Sequence, residues 1–179
     1  MTMIGFWQAG SRLRIWFPVL GIFLVACAGG RISAGAYMNQ AKGFAVQLPL
    51  AGWNVETDKE PDLLLRHAHR QAGISIHATC GGIPRDRPLE IVSRHLFFGI
   101  RGKQILWQER RTASPEEALE VVLRGELGGR ELLLHGYTVK GAGCVYDLVL
   151  FAAPEDYSDV KGDFEALVRG FRRLREETR

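Results

Sequence analysis

Glu131-Leu132-Leu133-Leu134-His135-Gly136-Tyr137-Thr138-Val139-Lys140, a Gly-Ala-Gly turn, then Cys144-Val145-Tyr146-Asp147-Leu148-Val149-Leu150-Phe151-Ala152 is the stretch that decides the fold. Successive side chains of a strand point to opposite faces. Leu132, Leu134, Val145 and Val149 therefore share one face, and Leu133, Tyr137, Tyr146, Leu148 and Leu150 share the other. A hairpin that is apolar on both faces has to be covered on both.

The cover is found by working outward. Asp159 to Arg175 repeats apolar residues at helical spacing: Val160, Phe164, Leu167, Val168, Phe171 and Leu174 form a stripe, with Lys161, Asp163, Glu165, Arg169 and Arg172 turned to water. Upstream, Leu89 to Phe98 reads as a second helix, ended by Gly99 and Gly102, with Ile91, Val92, His95, Leu96 and Phe98 near one stripe. Between the two, Lys103 to Thr112 and Ala118 to Leu127 alternate as strands, and Gly128-Gly129 is a two-residue hairpin turn. Ser114-Pro115-Glu116-Glu117 reads as a turn or helix start, where acids suit the backbone dipole. Earlier still come a short strand at Phe44 to Leu48, Trp53 and Val55, and a hairpin of Asp62 to His69 with Gly73 to Cys80. The expected fold is α+β, a three-layer α/β/α sandwich around a mostly antiparallel sheet.

Gly43-Phe44-Ala45-Val46-Gln47-Leu48-Pro49 followed by Gly52-Trp53 resembles the opening of PsbP-like and DcrB-like domains. The Ala153-Pro154 turn, Tyr157 and the helix carrying Phe164, Leu167, Val168 and Phe171 resemble their close. The resemblance spans about Tyr37 to Leu174. It implies an extracytoplasmic α/β/α domain that assists membrane complexes, and it carries no catalytic residue to transfer. Nothing in the residues points to photosynthesis.

The first 26 residues have another character. Arg12 and Arg14 precede the apolar run Ile15 to Val25, which is short of the roughly 20 residues a spanning helix takes. Leu24-Val25-Ala26-Cys27 then resembles the bacterial lipobox, which implies cleavage before Cys27 and acylation of its thiol and amine. Residues 1–26 are thus expected to be a removed signal, 27–36 a lipidated flexible tether rich in Gly and Ala, and 37–179 a single domain. Acyl chains on Cys27 would hold that domain on a membrane. Ala28 follows the Cys where Asp resembles an inner-membrane retention signal. The expected place is therefore the periplasmic side of the outer membrane, rather than the inner, in a host with two membranes. The chain has 23 Lys+Arg against 20 Asp+Glu, and without Arg12 and Arg14 the balance is 21 against 20. So near-neutral a protein has no field to gather nucleic acid.

Candidate chemistry is sparse. His67 and His69, two apart on a strand, are a candidate metal pair lacking a third ligand. A hairpin turn centred on Gln71-Ala72 would set His67 against Ile76 and His69 against Ile74. His77 falls on the opposite face, and His135 faces outward opposite Val122. Cys80 and Cys144 are either a disulfide or two buried thiols. Asp147 alternates with Val145 and Val149 in a central strand and is expected to face Gly136 and pair with an Arg. Arg110-Arg111 and the Arg172, Arg173, Arg175 cluster read as solvated faces. No phosphate loop, dinucleotide fingerprint or Gly-x-Ser-x-Gly context appears, so no cofactor, metal or catalytic residue is expected. The reading is a non-catalytic cell-envelope lipoprotein, an accessory or assembly factor with a protein partner bound through Trp107, Phe97 and Phe98. The alternatives are a carrier of a small apolar ligand or lipid between sheet and helix, and an enzyme of unrecognised site.

The anchor is tested at one residue. Cys27→Ser should abolish metabolic palmitate labelling and accumulate the uncut precursor; a variant still labelled and cut in the same place would refute the lipobox reading.

Overall fold

The computed structural model describes residues 30–49, 51–57, 60–82, 87–113, 116–141 and 143–174. The expected signal over residues 1–26, Cys27, Ser114, Pro115 and Arg175 lie outside these.

The two doubly apolar segments are neighbours in the sheet. β9 (Arg130–Gly141) pairs antiparallel with β10 (Cys144–Ala152), with Leu148 opposite Tyr137 and Val149 opposite Gly136. Around them the chain builds β4 (Trp53–Glu56), β5 (Leu63–His67), β6 (Ala72–Cys80), β7 (Arg101–Ala113) and β8 (Glu116–Leu127). The seven strands run in the order β4-β5-β6-β10-β9-β8-β7, every pairing antiparallel, so β10 is central and β7 an edge. Gly128 and Gly129 adopt positive φ at the β8–β9 turn, which glycine does without strain.

Each face has its own core. On one, Tyr146, Leu148 and Leu150 join Leu63, Leu65, Ile74 and Ile76 beneath Val160, Phe164 and Leu167 of α2 (Tyr157–Gly170). On the other, Leu119, Val121, Leu123, Leu134 and Val149 pack with Leu89 of α1 (Leu89–Ser93), Phe97 of the 3₁₀ turn Arg94–Phe97, and Ile100. The α+β class holds. The expectation did not include a small antiparallel sheet in the order β1-β2-β3-β11, made of β1 (Arg31–Ser33), β2 (Ala36–Asn39), β3 (Phe44–Gln47) and β11 (Arg172–Arg173). It shares α2's side of the large sheet through Tyr37, Phe44 and Val46. Phe44 is the hinge pin of this contact, its ring 5.8 Å from Tyr37, 5.7 Å from Tyr146 and 6.0 Å from Phe171.

Several expectations are corrected. Arg31 to Ser33 of the expected tether pair with Ala36 to Met38, so that part of the chain is a hairpin. The last helix stops at Gly170 rather than Arg175. A Cβ there would lie 2.8 Å from Gln47 Cβ, so glycine lets β3 approach, and the chain then turns into β11 to pair with Phe44 and Ala45. The first helix is shorter than expected, and its tight 3₁₀ continuation rotates the stripe. Leu89, Val92 and Phe97 are buried, while Ile91 and Phe98 are exposed. Glu116 and Glu117 open β8, with Glu117 opposite Lys140, because β9 runs on to Gly141 and offers a ladder partner. In the β5–β6 hairpin Arg66 meets Gly73 and Leu65 meets Ile74, four residues away from the expected register, with faces unchanged. The longer loop is held from outside it: Asp156 Oδ2 accepts the Gln71 N–H at 2.8 Å and Gly52 O accepts the Ala68 N–H at 2.7 Å.

Cys144 stands opposite Cys80 in the β6–β10 ladder, their Cα atoms 4.1 Å apart, with the two sulfurs joined. The tie closes a loop of 64 residues and fixes the middle of the sheet at one end. Reduction, or Cys80→Ser, should lower the unfolding free energy by about 2–4 kcal/mol in denaturant titrations. Alkylation of denatured but unreduced protein should leave both thiols unlabelled, and complete labelling would show them free in the native chain.

Candidate functional site

α2 has 14 residues and lies over β10 and β6, reaching His135 of β9, which leaves the outer strands β8 and β7 largely uncovered on that face. The result is an open trough with a sheet floor and a helix wall. Its two adjoining hollows, of about 410 and 440 Å³, share Arg111, Glu120, His135 and Glu165. The wall follows from helical spacing: Val160, Phe164 and Leu167 are buried, while Tyr157, Lys161, Glu165 and Arg169, four apart, form the neighbouring stripe that borders the trough.

A hydrogen-bonded chain crosses the floor. His135 Nε2 lies 2.7 Å from Glu120 Oε1, and His135 Nδ1 lies 3.1 Å from the Tyr157 hydroxyl. Arg111 Nε donates to the other oxygen of Glu120 at 3.0 Å, and Phe164 packs 4.8 Å from the imidazole. His135 is 2% exposed. Its burial holds the imidazole pKa below the usual value, against the pull of the Glu120 hydrogen bond. Burial, with the charges of Glu165 and Glu120, pushes the Tyr157 hydroxyl up to about 12. At neutral pH the chain is therefore satisfied in one state, with a neutral imidazole donating from Nε2 to Glu120 and accepting at Nδ1 from Tyr157. Such a chain fixes the floor of a binding surface, because each of its polar groups already has a protein partner.

The register opposite Val122 is as expected for His135, but the residue is not outward-facing: α2 covers it. The sequence does not single out Glu120, whose side chain is only 15% exposed. The signal that could have found the trough is the Tyr157, Lys161, Glu165, Arg169 stripe flanking the apolar one. It becomes legible only when the helix is placed over β10 rather than β8.

The three candidate partner residues do not form one patch. Trp107, 39% exposed, stands at the outer rim of the trough with the Arg111 guanidinium 5.7 Å from its ring centroid. Phe97 is buried in the opposite core, and Phe98 is 88% exposed beside it. On that side a further hollow of about 450 Å³ is lined by Phe97, Ile105, Val121 and Leu123. His67 and His69 stay near the other edge of the sheet, beyond α2, His67 accepting the His69 N–H at 3.2 Å and packing 5.0 Å from Trp53. Among the described residues no group of three or more His, Cys, Asp or Glu is placed to hold a metal ion. Arg110 is held by Glu90, and Arg172 and Arg173 form β11.

Asp147 faces Thr138 and His77 rather than Gly136, and its Oδ1, like Thr138 Oγ1, is buried without a hydrogen-bond partner among the described residues. The expected Arg is not there. Burial pushes its pKa to about 7.

No family model and no curated protein matches the chain. Solved structures do. The solution structure of cyanobacterial PsbP (CyanoP) from Synechocystis superposes with a TM-score of 0.59 at 19% identity, over 84% of this chain and 95% of that one. LpqN of Mycobacterium tuberculosis, described as involved in cell envelope biogenesis, gives 0.60 at 15% identity, over 74% and 86%. A Bacteroides thetaiotaomicron protein gives 0.54 at 12% identity, over 85% of this chain and 51% of its own. The fold is PsbP-like. At these identities the likeness is one of architecture. Among the described residues no helix is long and apolar enough to cross a membrane.

Asp147 sets a pH signature with a defined sign. Unfolded, its carboxyl ionises near 3.8; folded, near 7. Between those values the folded chain keeps a proton that the unfolded chain has released, so this group makes stability fall as pH rises across the window. Asp147→Asn should therefore be more stable than the parent at pH 8, by on the order of 2–4 kcal/mol, with the gap closing toward pH 4. Urea titrations across pH check this; a variant less stable at pH 8 would mean that the carboxylate has a stabilising partner.

Proposed function

We propose that the chain is a non-catalytic cell-envelope lipoprotein, an accessory or assembly factor that binds a membrane-associated protein complex. The carrying observation is the PsbP-like fold, shared in outline with an envelope-biogenesis protein of comparable size. The lipobox-like Leu24 to Cys27 supports an acyl anchor on the periplasmic side, in the outer rather than the inner membrane, with a tether shortened to the residues before Arg31. We read the domain as an α/β/α sandwich with α2 above the sheet and α1 below it. We place partner contact at the trough, where Trp107 offers a half-exposed aromatic face beside charged groups of both signs. Exposed aromatic and Arg side chains over a fixed floor are typical anchors of a protein interface. The charged side chains lining the trough, Arg111, Glu120, Lys161, Glu165 and Arg169, disfavour an apolar cargo. The hollow under Phe97 and Ile105 favours the carrier reading as the second choice.

Affinity purification of the tagged full chain from solubilised membranes tests the first reading. A discrete set of envelope proteins should co-purify with the parent, and Trp107→Ala should lower their recovery at least tenfold with thermal stability unchanged. Equal recovery with the variant would move the contact away from the trough. Co-purification of lipid alone would favour the carrier.

A further inference from the structure

The last strand of an open sheet presents a row of unpaired N–H and C=O groups to whatever can align with it. The large sheet ends on one side in β4, four residues long, and on the other in β7, thirteen residues long. The first half of β7 is protected: its register against β8 breaks between Arg101 and Gln104 and again between Ile105 and Trp107. From Trp107 to Ala113 the ladder runs unbroken.

Charges on an edge strand ordinarily repel a second strand. Here they alternate in sign. Glu109 and Arg111 lie on the trough face, half exposed, with Arg111 Nη2 3.2 Å from Glu109 Oε2. Arg110 points to the opposite face, where its Nε and Nη2 donate to the two oxygens of Glu90 at 2.6 and 2.7 Å. An antiparallel two-fold centred on Arg110 sets Glu109 of each copy against Arg111 of the other and aligns Trp107 with residue 113. Opposite charges directly across an antiparallel pair attract, and like charges repel. The one like pair, Arg110 against its own mate, consists of two guanidinium groups each already neutralised by Glu90.

We infer that this segment of β7 is a self-complementary edge that pairs with a second copy of the chain. The pairing continues one sheet into the other across a two-fold axis. It also joins the two troughs, so that β9, β8 and β7 of both copies make one floor between two α2 walls, with four charges from Glu109 and Arg111 at its centre. The surface is isologous, as closed dimers require. A single edge of this length gives an interface at the small end of the range for specific association. It is therefore measured over a concentration series, and it needs no partner protein, which separates its outcome from that of the trough as a docking site.

Sedimentation of the detergent-solubilised full chain should show a reversible monomer–dimer equilibrium. Glu109→Arg alone and Arg111→Glu alone should each weaken it at least tenfold, since each places two like pairs across the axis. Mixing the two variants should restore a dimer, heteromeric by native mass spectrometry of isotope-labelled protein, because each reversed position then meets an opposite charge. Near-ultraviolet circular dichroism confirms that each variant is folded. A parent chain that stays monomeric at the highest concentration reached overturns the inference. So does a dimer indifferent to Glu109→Arg, or a mixture that forms no heterodimer.

Discussion

Everything in this molecule is arranged around a strand that has no outside. β10 carries Tyr146, Leu148 and Leu150 on one face and Val145 and Val149 on the other, all of them buried. Leaving either face in water would expose several large side chains, each worth about 1.5–3 kcal/mol when fully buried. The chain must therefore supply cover twice. Above, α2 and the small sheet share the task through Phe44, Tyr146 and Phe171. Below, the short α1 and Phe97 cover the part of the sheet formed by β8, β9 and Val149 of β10. Asp147 is the exception on this strand, a carboxyl held where a charge is unwelcome.

The trough is what that cover leaves over. A helix of 14 residues centred on β10 cannot also roof β8 and β7, so their upper face is open. The Arg111–Glu120–His135–Tyr157 chain bridges strand to helix and ties the wall to the floor. Trp53 does the same at the other side of α2, its indole N–H donating to Asp163 at 2.9 Å. The helix is thus fixed from both flanks, and the groove beside it has a defined width. A surface with that rigidity suits recognition of a folded or extended partner better than engulfment of a small apolar ligand.

The sheet was legible because its signals are short-range. Alternation over Ala118 to Leu127, Gly128-Gly129, and the doubly apolar hairpin set the β8–β9 and β9–β10 pairings and the need for cover on both faces. What sequence could not give depended on contacts between distant segments. The β5–β6 loop is four residues longer than its own residues suggest because Asp156, more than eighty positions away, holds it open. The final helix ends early because Gly170 meets Gln47, and Arg172 and Arg173 find an unpaired strand in β3. His135 was placed opposite its correct neighbour, Val122, yet its burial, like that of Glu120, follows from where α2 lands. Periodicity also counted Phe98 into a stripe that the 3₁₀ turn rotates away, while Phe97 takes the buried place.

We propose that the open side of the sheet between α2 and β7 is the working surface of this PsbP-like domain in a cell envelope. Hydrogen exchange read by mass spectrometry tests it directly, comparing the full chain in its native membrane with the same chain purified in detergent. The account predicts added protection in the membrane across β7 and β8 and along the Tyr157 to Arg169 stripe, with β4 and β5 unchanged. Added protection confined to β4 and β5, or no difference anywhere on the trough, would contradict it.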